Sequence, residues 1–169
     1  MYKDGDINTV SAVCFTGHRS IGREYAYRIP TALKRVVEGL IERGAKRVRA
    51  GGAVGFDMIA ALCILELKQK HSQISLELVL PCKTQTRGWE EASVNVYNYI
   101  LRHADKVEYV SDEFTSRCMH ERNRMLVDES QVCVAFCAHS GGGSAYTFGY
   151  ALKKGLEVIN IYDIIKNIT

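Results

Sequence analysis

Two glycine-rich runs and a few charged residues beside apolar stretches carry the chemistry that this sequence offers. Gly51-Gly52-Ala53-Val54-Gly55-Phe56-Asp57 and Ser140-Gly141-Gly142-Gly143-Ser144 each stand between an apolar run and a segment with helical periodicity. Glycine lets a backbone approach a ligand closely. The helix that follows offers unpaired N–H groups and the positive end of its dipole, which suits phosphate. Neither run matches the dinucleotide fingerprint G-x-G-x-x-G or the P-loop. Each alone is therefore also compatible with a plain tight turn.

The charged residues add to this. Gly17-His18-Arg19 follows an apolar run. Arg19 can hold phosphate through its planar fork, or His18 and Arg19 are two solvated loop residues. Asp57 falls in the first turn of a helix, where a carboxylate is favoured by the dipole and where it can also meet a ligand hydroxyl. Arg122 lies three residues after Met119 and shares its apolar side. An inward arginine needs a partner, either a carboxylate of the fold or a ligand. Asp57 and Arg122 are the two candidates for a catalytic role. Cys82, in Pro81-Cys82-Lys83-Thr84-Gln85, has no identifiable activating partner and reads as a structural thiol.

The elements that must position these residues alternate. Val10–Thr16, Lys46–Ala50, Ile74–Leu80, Val107–Val110, Val132–Cys137 and Val158–Tyr162 are short apolar runs of strand character, the third closed by Pro81. Between them, apolar residues recur at helical spacing: Ile29 to Ile41, Phe56 to Leu67, Trp89 to Ile100, Phe114 to Leu126, and Ala145 to Leu152. Pro30 suits a first helical turn, and Gly44 and Gly155 suit helix stops. Six strands alternating with five helices predict a parallel sheet covered on both faces, a Rossmann-like three-layer α/β/α domain. In such sheets ligands bind beyond the carboxyl ends of the strands, and four of the loops just described meet there.

Composition bounds the rest. At 169 residues, 47% apolar and 24% charged, the chain is expected to fold as one domain over residues 1–169 without disulfide staples. No run is apolar enough to span a bilayer, and the opening MYKDGDINTV shows no basic-then-apolar secretory pattern. A cytoplasmic location is expected, with the six cysteines reduced. No Cys/His group has zinc spacing, so no metal is expected. The net charge of +3 is uneven: residues 1–50 carry ten Lys/Arg against five Asp/Glu. That excess is either a solvated basic helix or a site for a polyanion.

Taken together, these segments resemble one family. Phe15-Thr16-Gly17-His18-Arg19, then GGAVGFD followed by Ala60-Ala61, then Pro81, Cys82, Gln85 and Trp89, look like the YpsA-like branch of the SLOG superfamily. So do Arg122-Asn123, Met125 and Asp128, and Gly142-Gly143-Ser144-Ala145-Tyr146-Thr147 leading into YALKKG. The resemblance runs in order along essentially the whole chain. It implies a Rossmann-like fold and a site for a nucleotide-derived ligand. Members of the superfamily bind nucleotides, ADP-ribose-like or NAD-like molecules. Some act as sensors, others cleave N-glycosidic bonds, and the DprA-like branch binds single-stranded DNA.

Met119-His120-Glu121-Arg122 also resembles the catalytic arginine segment of LOG-type phosphoribohydrolases, which continue with P-G-G-x-G-T-x-x-E. Here Thr147 stands about where that glutamate would be, and a hydroxyl cannot replace a carboxylate acid or base. The expectation is a binding protein, a sensor or regulator, for a phosphate-bearing nucleotide, ADP-ribose or NAD-like molecule, with no cofactor required. The expected ligand contacts are Gly17, His18, Arg19, Gly51, Gly52, Gly55, Asp57, Pro81, Gln85, Trp89, Arg122, Asn123, Gly142, Gly143, Ser144 and Thr147. Trp89 and Tyr146 are read as contacts to the base or as plain packing. The alternatives are an N-glycosidic-bond hydrolase, with Asp57 or Glu121 as a substitute carboxylate, and a single-stranded nucleic-acid binder using the basic N-terminal third. Pairing into a homo-oligomer is a further expectation.

Overall fold

A computed structural model describes residues 9–168. The reading of the N-terminal stretch as lacking an export signal falls largely on residues 1–8, outside the described residues. Six strands form one sheet: β1 (Ala12–Gly17), β2 (Arg47–Ala50), β3 (Ser75–Cys82), β4 (Lys106–Ser111), β5 (Val132–Phe136) and β6 (Glu157–Asn160). Every pairing is parallel, and the order is β4-β3-β2-β1-β5-β6. The chain starts at β1, builds outward to β4, then crosses back to lay β5 on the other side of β1. Strands β1 and β5 therefore flank the point where the winding reverses.

Period-two alternation sorts the strand residues onto two faces. Val13, Phe15, Val48, Leu76, Leu78, Leu80, Val132 and Val134 join the large core. Helices α2 (Ile29–Glu42), α3 (Phe56–Lys68) and α4 (Glu91–His103) contribute to that core. Helix α2 turns Ile29, Leu33, Val37, Leu40 and Ile41 inward, with Pro30 in its first turn. Cys14, Val79 and Cys133 face the opposite way, into a small cluster with Leu126, Val127 and Ala151. That cluster lies under α5 (Cys118–Asp128) and α6 (Gly142–Lys153).

The α5/α6 face carries charge as well as apolar packing. Arg49, fully buried on β2, donates from Nη1 to the carbonyl of Met125 at 2.8 Å and lies 3.0 Å from Glu129. Its Nε is 3.4 Å from Glu77 on β3, and Arg47 grips the same carboxylate through two bonds of 2.8 and 2.9 Å. Arg49 Nη1 thereby satisfies the Met125 carbonyl, and at 3.4 Å that of Leu126, in the last turn of α5, where a cation also meets the negative end of the helix dipole. Four cations of residues 1–50 find carboxylates later in the chain: Lys34 with Glu66, Arg43 with Glu157, and Arg47 and Arg49 with Glu77 and Glu129. Much of the basic excess is thus spent within the fold.

The structure corrects several boundaries. Strand β3 continues through Pro81 to Cys82. Its pairing with β2 ends at Leu78 while that with β4 continues to Cys82, and proline is tolerated where one side of a strand is unpaired. Phe114 lies in the connection before α5, outside the helix. The last strand stops at Asn160, and Ile161–Ile165 form a short helix, α7. Asn160 explains the switch: its Oδ1 accepts from the Tyr162 amide at 3.2 Å and caps the new helix. A second short helix, α1 (Arg23–Ala26), precedes α2. No described helix is long and apolar enough to cross a membrane.

Arg49 should therefore count for much more than its neighbour Arg47. Arg49→Leu removes a fully buried cation from beside buried Glu77 and leaves the Met125 carbonyl without its donor, and is expected to cost about 3–5 kcal/mol in urea unfolding. Arg47→Ala removes a partly exposed cation and should cost ~1 kcal/mol or less. Equal losses would show that the buried charge does not hold α5.

Candidate functional site

A cavity of about 430 Å³ opens at the carboxyl edge, beyond the end of β1 where the winding reverses toward β5. Its walls come from the loop after β1, the start of α3, the middle of α5, and the turn that opens α6. This is the place where the order of an open α/β sheet reverses and a crevice forms. Its volume lies within the range of ~300–1,000 Å³ usual for small-molecule sites.

Arg122 is the central side chain. Cys118, Arg122 and Leu126 are buried at intervals of four residues along α5, so one stripe faces the sheet. Leu126 packs into the small core, while Arg122 reaches past the strand ends and borders the cavity. Its Nη1 donates to the Gly51 carbonyl, its Nε donates to Asn123 Oδ1 at 2.8 Å, and Nη2 has only the Met119 sulfur at 3.9 Å. Only 6% of Arg122 is exposed. Burial works against its charge, and Asp57 is the main group favouring that charge. A guanidinium stays protonated in a protein, so this is a buried cation with donor capacity left over.

Asp57, in the first turn of α3, lines the same cavity. Its Oδ2 accepts from the Ala53 amide at 3.3 Å. Burial pushes its carboxyl above the ordinary range, against the pull of Arg122 and of the Ala53 amide. Gly51 lies between the two side chains. A Cβ there would come within 2.5 Å of Arg122 Nη1 and 2.9 Å of Asp57 Oδ2. Only glycine lets both groups close over this point of the backbone.

His18 joins the two halves of the site. The Ala138 amide donates to its Nε2 at 2.8 Å, and Ser144 Oγ lies 2.7 Å from its Nδ1. A nitrogen that accepts carries no proton, so in this arrangement the proton sits on Nδ1 and is donated to Ser144. The serine hydroxyl keeps its own hydrogen. His18 is thus not a base toward Ser144. Burial, and then His139 stacked at 3.9 Å, hold its pKa below the ordinary value.

The two glycine runs differ. In Gly141–Ser144, all four residues line the cavity at the N-terminus of α6. A Cβ on Gly143 would meet nothing nearer than Asn123 Nδ2 at 3.9 Å. In the first run, only Ala53 and Asp57 line it. The Gly51 carbonyl takes Arg122 and, at 3.3 Å, Gln85. Gly52 packs on Leu80. Gly55 has φ 83° and lies directly under the carbonyls of His18 and Arg19, while Phe56 donates its amide to His18 at 3.1 Å. The first run shapes the site from behind, and the second forms its wall.

Of the residues expected from the sequence, Gly17, His18, Arg19, Asp57, Arg122, Asn123, Gly142, Gly143 and Ser144 meet at this cavity. Gln85 and Trp89 border an adjoining hollow. Pro81 is buried in β3. Thr147 is fully buried and donates to the Gly143 carbonyl at 2.9 Å, away from the cavity walls. Tyr146 packs on His120 with ring centres 4.2 Å apart rather than at the cavity. The sequence reading missed Thr16, Ser20, Met119, Leu126 and His139 as walls. His139 stood directly before the second glycine run, and that position was the available signal. The six cysteines are free, and burial pushes the Cys63 thiol up to about 11. Among the described residues, no three His, Cys, Asp or Glu side chains gather to hold a metal ion.

Fold and site together define a parallel α/β domain with a cleft at its switch point, lined by Arg19, Asp57, Arg122 and the turn that opens α6. The chain belongs to the YspA SLOG family, whose model (YpsA) matches residues 14–165. It is similar to the uncharacterised SPbeta prophage-derived protein YoqJ of Bacillus subtilis strain 168, 32% identical over 143 residues, covering 73% of this chain and 84% of YoqJ. A UPF0398 protein of Bacillus thuringiensis strain Al Hakam is 26% identical over 136 residues, covering 79% and 74%. Among solved structures, DprA of Helicobacter pylori, determined for its single-stranded DNA binding mode, aligns with TM-score 0.64 and 19% identity over 94% of this chain and 72% of its own. DprA of Streptococcus pneumoniae aligns with TM-score 0.62 and 16% identity over 88% of this chain, which spans about half (49%) of that protein. These structural likenesses bear on the fold.

The state of His18 gives a pH test. Its folded pKa is lowered, so the unfolded chain takes up the proton first as pH falls. Its contribution to stability is complete above about pH 6.5 and is lost progressively below it. His18→Gln can still accept from Ala138 but does not titrate. Urea midpoints between pH 7.5 and 5.5 should fall less steeply in this variant than in the parent. Identical slopes would show that His18 is not held neutral.

Proposed function

We propose that the protein binds a phosphate-bearing, nucleotide-derived small molecule, of the nucleotide, ADP-ribose or NAD type, in the cavity between β1 and β5, as a sensor or regulator. The observation that carries this reading is Arg122: a buried cation at a cavity wall, with its Nη2 facing only a weak sulfur acceptor. An anion in the cavity would offset the cost of burying that charge. The amides that open α6 and the Arg19 guanidinium supply further phosphate donors. Asp57, on the same cavity wall, would accept from ribose hydroxyls.

An N-glycosidic-bond hydrolase is the second reading, favoured by one observation. Burial raises the Asp57 carboxyl, as a proton-donating acid requires. Against it, the residue at the LOG-type glutamate position, Thr147, is bonded back to Gly143. Single-stranded DNA binding rests on the likeness to DprA. The internal pairing of Lys34, Arg43, Arg47 and Arg49 works against a broad basic track.

Calorimetry with ATP, ADP, ADP-ribose and NAD tests these readings together. At least one should bind, and Arg122→Lys, which keeps charge but loses the fork, should weaken it about tenfold or more. Gly143→Val fills open space at the α6 turn and should abolish binding with little change in melting temperature. Binding to none of the four, or unchanged binding by both variants, would remove the proposal. Release of free base and ribose 5-phosphate from AMP, abolished by Asp57→Asn, would promote the hydrolase instead. Tight oligonucleotide binding that collapses with added salt would promote the DNA reading.

A further inference from the structure

Beside the main cavity lies a second hollow of about 350 Å³. Arg19 and Met119 line both, so the two share a wall. The character of the second is different. Two aromatic rings, Trp89 and Phe114, border it together with the polar side chains of Thr84 and Gln85. Trp89 is backed by Tyr97, ring centres 5.6 Å apart and edge to face, and packs against the large core. It is a fixed platform. Phe114 is the opposite case: it sits in the connection between β4 and α5 with 65% of its surface exposed. A ring so exposed adds little to the core.

We propose that this chamber takes the planar base of the ligand whose phosphate occupies the main cavity, with Trp89 and Phe114 as stacking surfaces. The ligand class is then a nucleotide with its base intact, as opposed to a sugar phosphate. The inference rests on the reading of the main cavity as a phosphate site. Arg19 stands at the shared wall, where a guanidinium can hold phosphate on its edge or lie flat on a ring. Thr84 offers a hydroxyl, and the Gln85 amide oxygen, buried and without a partner while its nitrogen donates to Gly51, is an acceptor left for the edge of a base. A main cavity rich in donors beside an aromatic chamber matches the two ends of a nucleotide. A bare phosphate or a phosphosugar would leave the aromatic chamber without a role.

Trp89 is the sole tryptophan of the chain, so intrinsic emission reports on this chamber. The test titrates the full chain with AMP, GMP, CMP and UMP, and separately with ribose 5-phosphate, by tryptophan fluorescence and by calorimetry. At least one nucleotide should quench Trp89 saturably, at the concentration where calorimetry records binding. Ribose 5-phosphate should bind roughly tenfold or more weakly and leave the emission unchanged, the scale expected for base–aromatic stacking. Phe114→Ser, on an exposed connection, should weaken the nucleotide by a similar factor and leave both ribose 5-phosphate affinity and melting temperature unaltered. If ribose 5-phosphate and the nucleotides bind equally, with silent emission and no effect of Phe114→Ser, the chamber proposal falls and the phosphate site stands. If neither kind of molecule binds, the chamber proposal falls, and the phosphate site falls with it when ATP, ADP, ADP-ribose and NAD also fail to bind.

Discussion

The site depends on how helix α5 is fastened to the sheet. The helix is polar, and its buried stripe has an arginine in the middle. Two guanidiniums hold it. Arg49 of β2 donates to the carbonyl of Met125 near the end of the helix, and Arg122 of the helix donates to the carbonyl of Gly51, just beyond β2. The bonds run in opposite directions between the same two stretches of chain. Each satisfies a carbonyl and lowers the cost of a buried cation. An apolar contact would permit sliding, whereas these bonds fix the rotation and height of α5. Its neighbours Met119 and Asn123 are thereby set at the cavity rim.

The same economy governs the other wall. His18 stands at the end of β1, receives the Ala138 amide beyond β5, and donates to Ser144 at the opening of α6. One neutral imidazole thus ties three segments at the switch point. That arrangement directs chemistry as well as structure. With the free lone pair of His18 turned to a backbone amide, Ser144 has no base to activate it. The serine keeps its own hydroxyl hydrogen, and the first amides of α6 lie beside it at the cavity wall.

The fold was legible because parallel strands buried on both faces read as short apolar runs, and because helices such as α2 keep a clear 3.6-residue stripe. That the loops after β1, β2, β3 and β5 share one edge of the sheet followed from topology alone. What could not be read were features decided by distant partners. Arg47 and Arg49 looked like part of a basic surface, yet Glu77 and Glu129 claim them. The first glycine run looked like a phosphate cradle, yet Gly51, Gly52 and Gly55 make room for Arg122, Leu80 and the carbonyls of His18 and Arg19. Spacing reveals that glycine is needed, and only packing reveals what approaches it. Phe114 fitted a helical period but falls before α5 begins, so an exposed ring near the site went unnoticed.

Charge placement bears most directly on the kind of ligand. A polyanion is bound by many cations spread along its track, and each contributes a salt-dependent share. In this chain Lys34, Arg43, Arg47 and Arg49 are matched with carboxylates that come from the acidic remainder of the sequence. The N-terminal excess therefore cancels across the fold, and its sum over residues 1–50 says little about the surface. Arg122 differs because it faces a cavity that Asp57 only partly compensates and because burial opposes its charge. One or two cations concentrated in a cavity, together with helix-end amides, suit a ligand with a compact charge. That distribution differs from the extended track of cations that a long strand requires, on a fold shared with a protein that binds single-stranded DNA.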